Sequence, residues 1–277
     1  MGKYKGRYFL REREYVTGAY AAVDIFPVFQ PPGKRRKKCR PTREAQKKLN
    51  QRNAEEKLDR LVKANFGAGD LAVHLTFRGE SPEVEEAMSF VRAYLRRIRR
   101  RYRRAGEDLR YVYVIERGKS GRVDLHLILN AGPMSRDELE NEWGLGTANA
   151  RRLQWDESGV SAFVEYIAKQ GRHKTRRRAT YRRWAASRNL QRPEPAEIDG
   201  RMTITEARDL AEAIMRRNAE RIIREAWPGY ELVEASATQN TINKGLYISL
   251  RLARPECWNG RPPTARYISG EIGEEET

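Results

Sequence analysis

The chain has 277 residues, enough for one substantial core and a smaller second unit. Its 55 Lys plus Arg against 38 Asp plus Glu leave a net charge of +17, which calls for a polyanionic partner, nucleic acid before any other. No apolar run approaches the ~20 residues of a membrane-spanning helix and the opening "MGKYKGRYFLREREYV" is too polar for a secretory signal, so a cytoplasmic protein without membrane contact is expected.

In chain order, residues 1–40 hold short aromatic patches ("RYFL", "VFQPPG") and then the basic cluster "KRRKKCR". The segment "PTREAQKKLNQRNAEEKLDRLVKANFGAGD" reads as a helix, with Thr42 as its cap, a partial apolar stripe of Leu49, Leu58, Leu61 and Val62, and Gly67 as its end. "LAVHLTF" alternates Leu71, Val73, Leu75 and Phe77 against Ala72, His74 and Thr76, the pattern of a half-buried strand. "SPEVEEAMSFVRAYLRRIRRRYRR" reads as a helix with a Ser cap, Pro at its first position, acidic residues in the first turn and arginines at the end, the order its dipole favours. "RYVYVIERG", the turn "KSG" and "RVDLHLILN" form a hairpin. A short helix "SRDELENEW", a strand "ANARRLQW" and a helix "GVSAFVEYIAKQ" follow.

Strand, helix, strand, strand, helix, strand is the ferredoxin-like split βαβ order, so the fold class is α+β, an antiparallel sheet with helices on one face. That arrangement makes the first and third strands central. Beyond it lie a basic stretch with Pro193 and Pro195, a long helix "TITEARDLAEAIMRRNAERIIREAW", and strands "YELVEASA" and "LYISLRLAR". The chain accordingly divides into a basic N-terminal extension with the long helix (1–66), a core (67–175), a basic linker (176–200), a small α+β segment (201–265) and an acidic tail (266–277). Two cysteines, Cys39 and Cys257, make neither a disulfide framework nor a Cys-Cys zinc site.

Asp124 and His126 stand two apart on the third core strand, so they share a face, while Val123, Leu125, Leu127 and Leu129 take the other. With the leucines turned to the helices, Asp124 and His126 fall on the uncovered face. His74 shares that face by parity, and Glu116 ends the neighbouring strand. Carboxylates with one imidazole suit Mg²⁺ or Mn²⁺ better than zinc, giving Asp124, His126 and Glu116 as a candidate ligand set. In "FVEYIAKQG", Tyr166 and Lys169 lie three apart on one helical face. A tyrosine hydroxyl, with its pKa of ~10, attacks a phosphodiester only where a cation polarises the phosphate and a lysine stabilises the developing charge.

These pieces resemble the HUH endonucleases, and more closely the rolling-circle replication-associated proteins of bacterial phages, plasmids and integrated elements. "LAVHLTF" matches the first motif strand, "YVYVIERGKSGRVDLHLILN" the hairpin with the metal motif, and "GVSAFVEYIAKQ" the tyrosine helix; flanking similarity extends the likeness from about residue 40 to about 255. The resemblance implies that Asp124 and His126 are the metal-binding pair, Glu116 the third ligand, Tyr166 the nucleophile and Lys169 its companion. It implies nicking and rejoining of single-stranded DNA at a replication origin with a hairpin, through a 5′-phosphotyrosine, with host replication machinery as partner. A single candidate tyrosine points to the one-tyrosine type, and the lack of a Gly-x-x-x-x-Gly-Lys-Ser/Thr run argues against a fused helicase. Asp124 departs from the family's histidine there, which makes the site harder and more anionic.

The basic runs "RRIRRRYRR" and "RHKTRRRATYRRW" interleave Arg with Tyr and Trp, suited to phosphate contacts and base stacking. Candidate DNA contacts are His74, Arg97, Arg100, Arg101, Arg176, Arg177, Arg178, Arg182 and Arg183. Two other readings stand beside the replication initiator: a one-tyrosine transposase or relaxase-like nickase, and a non-catalytic binder of single-stranded or hairpin nucleic acid, for which Asp124 is the motivating residue.

Overall fold

The computed structural model describes residues 8–29, 43–118, 120–155, 159, 184–240, 243–257 and 262–268. They form two compact units. One contains most of helix α1 (Arg43–Asn65), then β3 (Leu71–Leu75), α2 (Val84–Arg104), β4 (Tyr111–Arg117), β5 (Val123–Leu129), α3 (Arg136–Asn141), β6 (Ala148–Arg152) and β7 (Trp184–Ala186). The other contains β1 (Tyr8–Thr17), β2 (Tyr20–Phe29), β8 (Ala196–Asp199), α4 (Ile204–Met215), α5 (Glu220–Ala226), β9 (Glu231–Gln239), β10 (Leu246–Ala253) and β11 (Arg266–Ile268). No helix among the described residues is long and apolar enough to cross a membrane.

The first unit is the expected α+β ferredoxin-like core. Its sheet runs β6-β3-β5-β4-β7, all antiparallel, with β3 and β5 central. The inward sides of these strands bury Val73, Leu75, Val123, Leu125, Leu127 and Leu129 against Val91, Leu95 and Ile98 of α2 and Leu139 of α3. Tyr94 and Tyr102 are fully buried too, each donating its hydroxyl to a backbone carbonyl, of Leu139 and Asn130 respectively, so the phenols cost no unpaired donor. Ser81 does not cap α2. Its Oγ accepts the Val123 N–H instead, and the helix starts at Val84 with Glu83 at its N-cap. The Ser135 and Glu138 pair caps α3 reciprocally.

The second face of this sheet departs from expectation. Rather than lying uncovered, it receives α1 at one end: Leu58, Leu61, Val62 and Phe66 pack with Val112, Val114 and Ile128. The reason is that β4 and β5 carry apolar residues on both faces at that end and polar ones at the other.

Gly146 marks the close approach that seats the loop before β6 on the end of β3. A Cβ there would come within 2.3 Å of the Thr76 carbonyl oxygen and 2.8 Å of the Phe77 Cα, both backbone. Gly146→Ala is therefore expected to destabilise the core by about 1–3 kcal/mol, the usual cost of overpacking, read as a lowered Tm. An unchanged Tm would show that the approach yields freely.

In the second unit the sheet order is β11-β9-β10-β2-β1-β8. Ala207, Leu210, Ala211 and Ile214 of α4 and Ile223 of α5 bury against Leu10, Val23, Ile25, Leu232, Ile248 and Leu250. The single long helix read over "TITEARDLAEAIMRRNAERIIREAW" is two: α4 ends at Met215, and Arg217 takes a left-handed φ of 59° before α5 begins. The stretch read as a linker, 176–200, supplies a strand to each sheet, β7 and β8. The N-terminal hairpin β1–β2 shares a sheet with β9 and β10, so residues 8–29 belong with the C-terminal segment and not with the helix of a separate extension.

Glu12 sits on the core side of β1, 2% exposed, with neither carboxylate oxygen hydrogen-bonded among the described residues and Arg201 Nε 3.8 Å away. Burial pushes its pKa up, against the pull of Arg201. A carboxyl whose folded-state pKa exceeds its unfolded value is tolerated when protonated, and it costs stability as pH rises through the folded pKa. Glu12→Gln is expected to raise the Tm of this unit at pH 7 and leave it nearly unchanged near pH 4. An equal rise at both would mean that charge is not the cause.

Candidate metal centre

Strand register brings the site together. His74 pairs with His126 across β3 and β5, and His126 and Asp124 pair with Val114 and Glu116 across β5 and β4. Direct cross-strand partners share a face, so Glu116 joins Asp124, His126 and His74 on the side away from α2 and α3. Toward the other end of the same face lie Ala72, Ile128 and Val112, partners in register. The site is thus the polar end of a face whose apolar end α1 covers.

His126 Nε2 lies 3.0 Å from Glu116 Oε2, and both residues are buried at 6% exposure. On its other side the His126 ring stacks on His74, with centroids 4.6 Å apart and planes 6° from parallel. His74 itself is exposed, and Asp124 is half-buried. Burial lowers the His126 pKa, with the Asp124 charge opposing. The His74 pKa is lowered by partial desolvation of its ring against the sheet and then by His126, against Asp124 and Glu116. Both imidazoles are therefore held toward the neutral form, the form that offers a lone pair to a cation.

A carboxylate and an imidazole are donor types that a hard divalent cation accepts. Two donors at right angles on an octahedral ion with bonds of 2.0–2.1 Å lie about 3 Å apart, the separation of His126 Nε2 and Glu116 Oε2. Among the described residues no group of three or more His, Cys, Asp or Glu side chains is placed to hold a metal ion, so Asp124 is not gathered with His126 and Glu116 into the three-ligand set expected from the sequence.

The other candidates separate by place. Arg97, Arg100 and Arg101 are on α2, across the sheet from this pair, and Arg97 and Arg101 are engaged by Glu142 and Glu138 of the α3 region at 2.5 and 2.8 Å. Tyr102, read as part of an Arg–aromatic surface, is a core residue. Tyr166, Lys169, Arg176, Arg177, Arg178, Arg182 and Arg183 lie outside the described residues, as does the helix read over "GVSAFVEYIAKQ". The Glu116 contact was only partly legible, because Val112 and Val114 share its strand face and mimic a buried strand.

Residues 70–171 match the family model of the replication-associated protein ORF2/G2P. The match runs through the four core strands and both helices of the ferredoxin-like sheet, and contains His74, Glu116, Asp124, His126, Tyr166 and Lys169. No curated protein and no solved structure matches the chain.

Proposed function

Starting from a segment similar to replication-associated proteins, we propose that this protein initiates rolling-circle replication by nicking and rejoining single-stranded DNA at an origin, in the manner of an HUH endonuclease. The observation that carries the reading is the buried Glu116–His126 pair at 3.0 Å, with Asp124 and His74 on the same face. A carboxylate and a neutral imidazole so placed have the spacing of adjacent ligands on Mg²⁺ or Mn²⁺. Such a cation, when bound, draws charge from a non-bridging oxygen of the scissile phosphate.

The chain's own residues supply the rest. The Tyr166 hydroxyl oxygen attacks phosphorus and the bond to the 3′-oxygen breaks. The phenol proton is given up to solvent, and the departing 3′-oxygen takes one to become a free hydroxyl. The product is a 5′-phosphotyrosine, whose reversal by a 3′-hydroxyl rejoins the strand. Lys169, three residues after Tyr166 in the sequence, stabilises the charge that gathers on the phosphate. Asp124 adds a second carboxylate where a histidine would make the site softer.

The Glu116–His126 contact is also a complete hydrogen bond by itself, which favours the second reading, a non-catalytic binder that keeps the fold. The deciding assay incubates the full chain with single-stranded oligonucleotides from its origin, with Mn²⁺ and with EDTA, and resolves protein–DNA adducts on a denaturing gel. A metal-dependent adduct is expected. Tight binding without adduct under any divalent cation would establish the binder instead.

A further inference from the structure

Helix α2 carries, on the face of the sheet away from the Glu116–His126 pair, a stripe of arginines that the core does not use. Arg92, Arg96, Arg100, Arg103 and Arg104 are exposed, and among the described residues none of them has an ion-pair partner. Other arginines in this structure are held by carboxylates: Arg11 and Arg13 by Glu197, Arg201 by Glu14, Arg224 by Glu231. On α2 itself Arg97 and Arg101 turn to Glu142 and Glu138, and Arg99 lies over the Tyr111 ring. The unengaged five fall within a sector of about 120° of the helix, opposite the buried Val91, Tyr94, Leu95, Ile98 and Tyr102. They extend about 18 Å along its axis at 1.5 Å per residue, the rise of about five base pairs.

We propose that this stripe is a separate docking surface for duplex DNA, distinct from the face where a strand would be cut. Charge selects a polyanion, and the missing aromatics select the duplex. Binding of single strands draws on rings that stack on exposed bases. Here Phe90, Tyr94 and Tyr102 all pack into the core, so the stripe offers guanidinium groups alone. Such a surface reads phosphates and no bases, which a duplex presents in continuous rows. The sheet stands between the stripe and the metal pair, so the two hold different parts of one DNA: the duplex arm beside an origin on α2, the unpaired strand on the other face. The inference rests on a nucleic-acid substrate but not on cleavage.

The test measures binding of the full chain to a short random-sequence duplex, and to a single strand of equal length, across a series of KCl concentrations. The triple variant Arg92→Ala, Arg96→Ala, Arg103→Ala is expected to flatten the plot of log K against log[KCl] for the duplex by about 2.7, three phosphates at about 0.9 each. Single-strand binding should change much less. The control triple Arg188→Ala, Arg192→Ala, Arg208→Ala removes equal charge from exposed positions elsewhere and should leave the duplex slope nearly as it was. The proposal is overturned by an unchanged duplex slope in the first triple, by equal flattening in the control, by an equal loss for the single strand, or by no duplex binding in the wild type. The last result would turn attention to an acidic protein partner.

Discussion

Tyr166→Phe is expected to form no covalent adduct with origin DNA while binding the same oligonucleotide with unchanged affinity. The substitution removes one oxygen, the atom that would bond to phosphorus, and leaves the ring. In the proposed chemistry nothing replaces that oxygen, because a water-mediated cut would give free ends rather than a protein–DNA link. The loss of adduct should therefore be complete rather than partial, as judged by a denaturing gel beside an anisotropy titration. Adduct formation persisting in the variant would assign the nucleophile elsewhere among the 13 tyrosines of the chain.

Glu116→Gln should weaken Mn²⁺ or Mg²⁺ binding at least tenfold, and metal-dependent adduct formation with it, without unfolding the core. Replacing groups that merely orient a metal ligand costs 10–100-fold in affinity, and loss of a direct carboxylate ligand should cost no less. The fold survives because the glutamine carbonyl oxygen still accepts a hydrogen bond from His126 Nε2, in place of the 3.0 Å bond to Glu116. What disappears is the negative charge that a divalent cation needs. The check is a metal titration beside a thermal melt. A variant with native Tm and native metal affinity would mean that the pair is structural.

Much of the core could be read from alternation alone. In β3 and β5 every second residue is a large aliphatic facing α2, and the polar positions between them stand out, so Asp124, His126 and His74 were assigned correctly to one face. The six-stranded sheet was far less legible, for local reasons. On β1 the core-facing positions are Leu10, Glu12 and Glu14, and two carboxylates on the buried side erase the period of two. On β2, Pro27 falls inside the strand and reads as a break, although it pairs in register with Leu10. The turn between α4 and α5 has neither glycine nor proline to announce it, since Arg217 itself adopts the left-handed conformation.

The shared face of these polar residues was legible, but their contacts were not. That His126 meets Glu116 depends on the β4–β5 register. That α1 covers the neighbouring apolar end depends on a tertiary packing no local pattern encodes. The arginines of "RRIRRRYRR" show the same limit. Their number pointed to nucleic acid, but only the fold separates those engaged with α3 from those left free on the far side of the sheet.

The central claim is that the Glu116–His126 pair holds a divalent cation, and direct Mn²⁺ binding to the full chain, followed by electron paramagnetic resonance, tests it without recourse to activity. The wild type should take up Mn²⁺ and broaden its signal. The double variant Glu116→Gln, His126→Gln, which keeps hydrogen-bonding side chains at both positions, should leave the Mn²⁺ free at the same concentrations with its melting curve intact. Wild-type protein that leaves Mn²⁺ free, or a double variant that binds it equally well, would contradict the account.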